Sequence, residues 1–213
     1  MTWLALPSGK VSRLHAPGLG RSDLGLPLGP IVGVVVDGMG ALALRFAILT
    51  AARSGEVRGA TWAEFDMAAK LWTIPADRMK AGVEHRVPLS DAALAVLDRV
   101  RTLAPQDAAL AFPSTKAGRP LSDMTLAAVL KRLDVPVTVH GFRSTFRDWT
   151  EEATSFPHEV KEAALAHAIR NKVERAYRRT DLFEKRRKMM NAWAAHASQR
   201  CGDVVRLATG GVA

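Results

Sequence analysis

From Ala41 to Ala52 the chain is apolar at nearly every position, and the run stops abruptly at Arg53-Ser54-Gly55-Glu56. A helical-length stretch without a polar face predicts a helix buried on all sides, with Arg53 at its end. From Trp62 to Ser90 the chain reads as short strands. Phe65-Asp66, Leu71–Pro75 and His85–Leu89 are rich in β-branched and aromatic residues and are separated by polar turns, which predicts a small antiparallel sheet. The last two strands flank a turn, Ala76–Glu84, that carries Lys80-Ala81-Gly82.

The remainder is helical in period. Ser90 and Ser122 each precede an amphipathic segment as candidate N-caps, predicting helices over Asp91–Leu103 and Asp123–Leu133 with a loop, Ala104–Pro120, between them. Phe142, Phe146 and Trp149 recur at i, i+4 and i+7, so Gly141–Ala153 reads as a helix whose aromatic stripe faces the core. Pro157 opens another helix over His158–Ala168. A helix containing Tyr177 follows, and Leu182–Ala197 closes the patterned region. Residues 1–40 are Gly- and Pro-rich with no sustained period and read as irregular. The expected fold is mainly α with a small antiparallel β-sheet, an α+β domain over residues 41–200, with an irregular segment at 1–40 and a tail at 201–213.

Composition narrows the function. A chain of 213 residues with 48% hydrophobic side chains can bury one core. One cysteine, Cys201, supports neither an internal disulfide nor a Cys-rich zinc site, which makes a reducing, cytoplasmic compartment the default expectation. The longest charge-free apolar run, Leu24–Val36, contains Pro27 and Pro30 and falls short of the roughly 20 residues a membrane helix needs. No membrane span is expected. The net charge is +9, and Arg170–Lys188 alone carries +6 around the single tyrosine, Tyr177. A solvated, salt-bridged helix face and a phosphate-facing surface both explain that density. Within it, Arg170, Lys172, Arg178 and Arg179 are candidate phosphate contacts.

The chemistry is narrowed by what the motifs lack. The acidic residues are scattered among basic neighbours, and there is no His-Glu-x-x-His, nucleophile elbow or Walker-type phosphate loop, so no metal and no cofactor is expected. What remains is Arg53 at a helix end, Lys80 in a hairpin turn, His140 and Arg143 one helical turn apart, His167, and Tyr177 ten residues later. Singly, each has an ordinary explanation: Arg53 as an ion-pair partner of Glu56, Lys80 as a solvated turn residue, His140 and His167 as satisfied core histidines, Arg143 as a surface charge, and Tyr177 as a core ring.

In order and spacing, however, these residues resemble the catalytic domain of tyrosine recombinases, in particular the phage and genomic-island integrase group. The matching stretches are Thr50-Ala-Ala-Arg53-Ser-Gly-Glu56-Val, Met79-Lys80-Ala-Gly, His140-Gly-Phe-Arg143-Ser-Thr-Phe-Arg-Asp-Trp149, Leu165-Ala-His167 and Ala176-Tyr177-Arg-Arg. The resemblance spans roughly Ala41 to Ala197. It implies site-specific DNA recombination through a covalent 3′-phosphotyrosine intermediate, with Tyr177 as nucleophile and Arg53, Lys80, His140, Arg143 and His167 as its catalytic partners. The chemistry is consistent with those roles. Two arginine forks suit the charge that develops on a phosphodiester. A phenol of reference pKa about 10 needs help to lose its proton, a task for His140. The departing 5′ oxygen needs a proton, which Lys80 can supply. The phosphotyrosyl ester stores the energy of the broken bond, so rejoining requires neither ATP nor metal.

The same resemblance implies double-stranded DNA as partner and a homo-oligomer, a tetramer, on DNA, with the tail after Cys201 packing either on a neighbouring subunit or locally. Integrases of this kind carry arm-binding and core-binding domains ahead of the catalytic one, and Met1–Gly40 is too short for both. A shortened integrase with weak, salt-sensitive duplex binding is therefore expected. Two further readings stay open: a DNA-binding integrase remnant without recombination activity, and a type IB topoisomerase-like enzyme, against which His140 in the His-x-x-Arg position weighs.

Overall fold

A computed structural model describes residues 38–105, 107–116, 118–167 and 181–198. Apart from short 3-10 turns at Trp62–Glu64 and Ala76–Arg78, the regular elements follow in chain order: helices α1 (Met39–Thr50) and α2 (Ser54–Arg58), strands β1 (Phe65–Asp66), β2 (Leu71–Ile74) and β3 (His85–Pro88), and helices α3 (Asp91–Leu103), α4 (Thr125–Arg132), α5 (Gly141–Glu152), α6 (His158–Ala164) and α7 (Phe183–Ser198). The described residues thus form a mainly α fold with one small sheet, as the hydrophobic pattern predicts.

The apolar run becomes α1, buried at Leu42, Ala43, Leu44 and from Phe46 through Thr50. It packs against α3, α4 and α7, which explains why it has no polar face. Phe46 is central to this packing, with ring centroids 5.4 Å from both Trp72 and Phe112 and 5.9 Å from Phe65. At the far end of the helix, Trp193 of α7 donates from Nε1 to the Ile48 carbonyl (2.7 Å). That bond satisfies the polar edge of a fully buried indole.

The sheet is antiparallel in the order β1-β2-β3, with Leu71 opposite Pro88, Trp72 opposite Val87, Thr73 opposite Arg86 and Ile74 opposite His85. Trp72 and Ile74 are buried while Leu71 and Thr73 are half-buried, the alternation expected of a sheet with one face on the core. His85 lies at the start of β3, directly after the turn that carries Lys80.

Local signals fix some of the helix ends. Ser90 caps α3, its hydroxyl accepting from the Ala93 amide (3.3 Å). Ser122 does not cap α4. Its hydroxyl pairs with that of Thr125 (2.9 Å), its carbonyl takes the Thr125 amide in a turn (3.1 Å), and the helix begins at Thr125. Helix α6 ends at Ala164 instead of Ala168 because Ala166 turns left-handed (φ 49°), and the His167 amide closes back on the Glu162 carbonyl (3.1 Å) in a Schellman-type stop. The predicted helix around Tyr177 lies outside the described residues, as do residues 1–37 and 199–213. No helix among the described residues is long and apolar enough to cross a membrane.

Candidate active site

Arg53 is the last residue of the three-residue break between α1 and α2. Ala51 leaves α1 in the left-handed region (φ 51°), Arg53 is extended (φ −74°, ψ 148°), and α2 starts at Ser54. Glu56, on the first turn of α2 and 6% exposed, holds Arg53 at two points. One carboxylate oxygen accepts the Arg53 amide (2.8 Å) and the other accepts Nη1 of its guanidinium (2.6 Å). The ordinary reading of Arg53, an ion pair with Glu56, therefore describes a real contact, and that contact orients the guanidinium.

Arg143 lies on the first turn of α5 and is 7% exposed, so it is no surface charge. Its Nη1 donates to the Ala51 carbonyl and its Nη2 to the Leu165 carbonyl (2.8 Å). One guanidinium therefore ties together the end of α1, which presents Arg53, and the end of α6, which presents His167. Burial pushes the Arg143 pKa down to about 10, the positive charge of Arg53 pushes the same way, and Glu56 opposes them. Arg143 stays protonated near neutrality, beside a second guanidinium, in a setting that an anion would stabilise.

His167 follows the left-handed Ala166, and its Nδ1 meets a Glu162 carboxylate oxygen at 2.8 Å. That contact fixes the ring and leaves Nε2 as the nitrogen available to a ligand. His140 is the exposed residue preceding α5, three positions before Arg143. Lys80 is exposed in the β2–β3 turn, where Gly82 (φ 63°) takes the left-handed conformation and its amide bonds the Met79 carbonyl (2.9 Å). Arg143 thus ties together the loops that carry Arg53 and His167, while Lys80 and His140 are exposed. Tyr177, Arg170, Lys172, Arg178 and Arg179 lie outside the described residues.

Sequence spacing does not reveal His85. Its ring sits half-buried against the Ala164 backbone, and its pKa is pushed down to about 4, first by burial and then by the charges of Arg186, Arg143 and Arg53. His85 is a neutral donor at the edge of this positive field. Its one sequence signal is its place at the start of the third strand. Glu162 was equally silent, since a Glu five residues before a His has no periodic signature on a continuous helix.

Two guanidinium forks aimed by a buried carboxylate and by backbone carbonyls, with a carboxylate-oriented imidazole nearby, suit an oxyanion with several equivalent oxygens, such as a phosphodiester. Residues 39–184 match the Phage integrase family. The chain is 44% identical over 150 residues to prophage integrase IntA of Escherichia coli K12, an alignment covering 69% of this chain and 36% of that protein. It is 34% identical over 171 residues to the integrase of Enterobacteria phage P4, covering 72% of this chain and 39% of that one. The chain thus spans under half the length of these relatives. Among solved structures, the integrase from mycobacterium phage Brujita superposes with a TM-score of 0.61 over 86% of this chain and 61% of its own, at 18% identity, a likeness of fold alone. From the extent of the family match and the identity to these relatives, the chain belongs to the phage integrase family.

Proposed function

We propose that this chain carries the catalytic unit of a tyrosine-type site-specific recombinase that cleaves and rejoins double-stranded DNA, residues 41–200 forming the catalytic domain. The supporting observation is the joining of Arg53 and Arg143 at one place: Arg143 bonds the Ala51 carbonyl two residues before Arg53, and Glu56 orients the Arg53 guanidinium. Two fixed cations on one side of a phosphodiester stabilise the charge of a pentavalent transition state with no reorganisation at the moment of reaction.

In this reading the Tyr177 hydroxyl attacks the scissile phosphorus and passes its proton to His140. A 3′-phosphotyrosyl ester forms, the bond from phosphorus to the 5′ oxygen breaks, and Lys80 protonates the departing oxygen. Arg53, Arg143 and His167 donate to the non-bridging oxygens. With Nδ1 donating to Glu162, Nε2 of His167 donates to the phosphate only when the ring carries both protons. A 5′ hydroxyl from another strand then reverses the step and releases Tyr177. Arg170, Lys172, Arg178 and Arg179 would contact flanking phosphates, and four copies would assemble on DNA in the cytoplasm.

The test is covalent capture. A library of nicked suicide duplexes, whose cleaved fragment diffuses away, is incubated with the protein and screened for a denaturation-resistant adduct. An adduct that disappears in Tyr177→Phe supports the proposal. Failure to form one on any duplex overturns it and leaves a DNA-binding protein without cleavage activity.

A further inference from the structure

Lys80 is exposed on a turn closed by a glycine. Two residues earlier, however, the chain is held firmly. After β2, Pro75 opens a short 3-10 turn, Ala76–Arg78, in which the Arg78 amide bonds the Pro75 carbonyl (3.1 Å) and the Met79 amide bonds the Ala76 carbonyl (3.1 Å). Met79 is buried at 6% exposure, and Lys80 follows. The Arg78 side chain leaves the hairpin and crosses to α2. Its Nη2 donates to the Glu56 carbonyl, and its Nη1 donates to both carboxylate oxygens of Glu64.

Glu64 is fixed in turn. Its carboxylate also accepts Nε1 of the buried Trp72 (2.9 Å) and the hydroxyl of Thr61 (3.1 Å). The fit is close at Gly59 as well, where a Cβ would stand 3.0 Å from Nη2 of Arg78. Glu56 therefore serves both ends of the arrangement, its carboxylate holding Arg53 and its carbonyl holding Arg78.

We infer that Arg78 is a positioning residue that fixes the stem of the Lys80 turn to the backbone of Glu56, so that Lys80 and Arg53 address one phosphodiester in a set geometry. The inference rests on the roles given to Lys80 and Arg53 above. A bidentate guanidinium suits this task because its planar fork defines an orientation as well as a distance, which a lysine ammonium does not. A shift of about 1 Å in a proton donor can cost on the order of 100-fold in rate, so a residue that never touches DNA can govern the step.

The distinguishing experiment uses a leaving group that needs no proton donor. Adduct formation is timed on a captured duplex and on the same duplex with sulfur replacing the bridging 5′ oxygen at the scissile phosphate. A thiolate departs without general-acid help, so Lys80→Ala is slow on oxygen and recovers on sulfur. Arg78→Gln and Glu64→Gln are expected to behave alike, about 10- to 100-fold slow on oxygen and within a fewfold of the parent on sulfur. Arg78→Lys should recover little on oxygen. Equal slowing on both substrates would mean general distortion and would overturn the inference.

A second readout does not depend on activity. Lys-C cleaves after lysine, and Lys80 sits exposed in its turn. Nicking after Lys80 should run several-fold faster in Arg78→Gln, while an unchanged nicking rate overturns the inference even if the parent forms no adduct. Should Arg78→Gln fail to fold, Gly59→Ala disturbs the same guanidinium with Arg78 in place and is read in both assays. Absence of any adduct in the parent counts against the proposed function, whereas the nicking rate decides the anchoring.

Discussion

Arg143 donates to the carbonyl of Ala51, 92 residues earlier in the chain, and with its other terminal nitrogen to Leu165, 22 residues later. Ala51 is itself left-handed and Leu165 precedes the left-handed Ala166, each at a point where a helix has just stopped. Helix ends leave carbonyls without intrahelical partners. Here a guanidinium takes one near the end of each helix, and the two loops it fastens carry Arg53 and His167.

Arg143→Lys should therefore fail in two ways. An ammonium cannot bridge both carbonyls in the same plane, and an unsatisfied buried acceptor costs about 1–3 kcal/mol. The urea midpoint is expected to fall, and adduct formation to slow by about 100- to 1,000-fold, the usual cost of losing one charge-stabilising donor. An unchanged midpoint with full activity would contradict the two-loop role.

Ala51 gives a backbone test. A non-glycine residue at φ 51° costs about 1–2 kcal/mol relative to an ordinary conformation, and Ala51 is also 2% exposed. Ala51→Gly relieves that cost but adds unfolded-state entropy, so its midpoint should stay near the parent's. Ala51→Val places a β-branched side chain in the left-handed region within a packed core and should lose about 2 kcal/mol or more. Equal midpoints for the two variants would rule out strain at this position.

His85 predicts a pH signature. Its pKa in the folded chain is about 4 against an ordinary 6.5, so between those values the unfolded chain binds the proton and the folded chain does not. Its contribution to stability is complete above about pH 6.5 and is lost as pH falls toward 4, amounting to roughly 2 kcal/mol for a half-buried ring. Replacing it with asparagine should flatten the fall in the urea midpoint between pH 7 and pH 4.5. A slope as steep as the parent's would place the titration elsewhere.

Glu162 orients the imidazole of His167 through Nδ1 at 2.8 Å. Glu162→Ala should slow adduct formation by about tenfold or more with little change in midpoint, since both side chains are partly exposed. Glu162→Gln retains an acceptor for Nδ1 and should recover part of the loss. If Gln and Ala prove equally slow, the carboxylate charge matters more than ring orientation.

The sequence by itself determined the elements. Unbroken apolarity makes α1 a buried helix, alternation makes β2 a strand with one face on the core, and the hydroxyl of Ser90 starts α3, because each depends on neighbours within four positions. The spacing of Arg53, Lys80, His140, Arg143 and His167 was also legible, as was the family to which it points. Ser122 shows the limit of local reading, since a serine of the right kind spends its hydroxyl on Thr125 and caps nothing. Tertiary structure alone decided that Arg143 is buried, that Arg78 reaches α2, and that His85 is held neutral beside arginines. Those outcomes depend on hydrogen bonds and charges between residues far apart in the chain, and no periodicity encodes a partner 92 positions away.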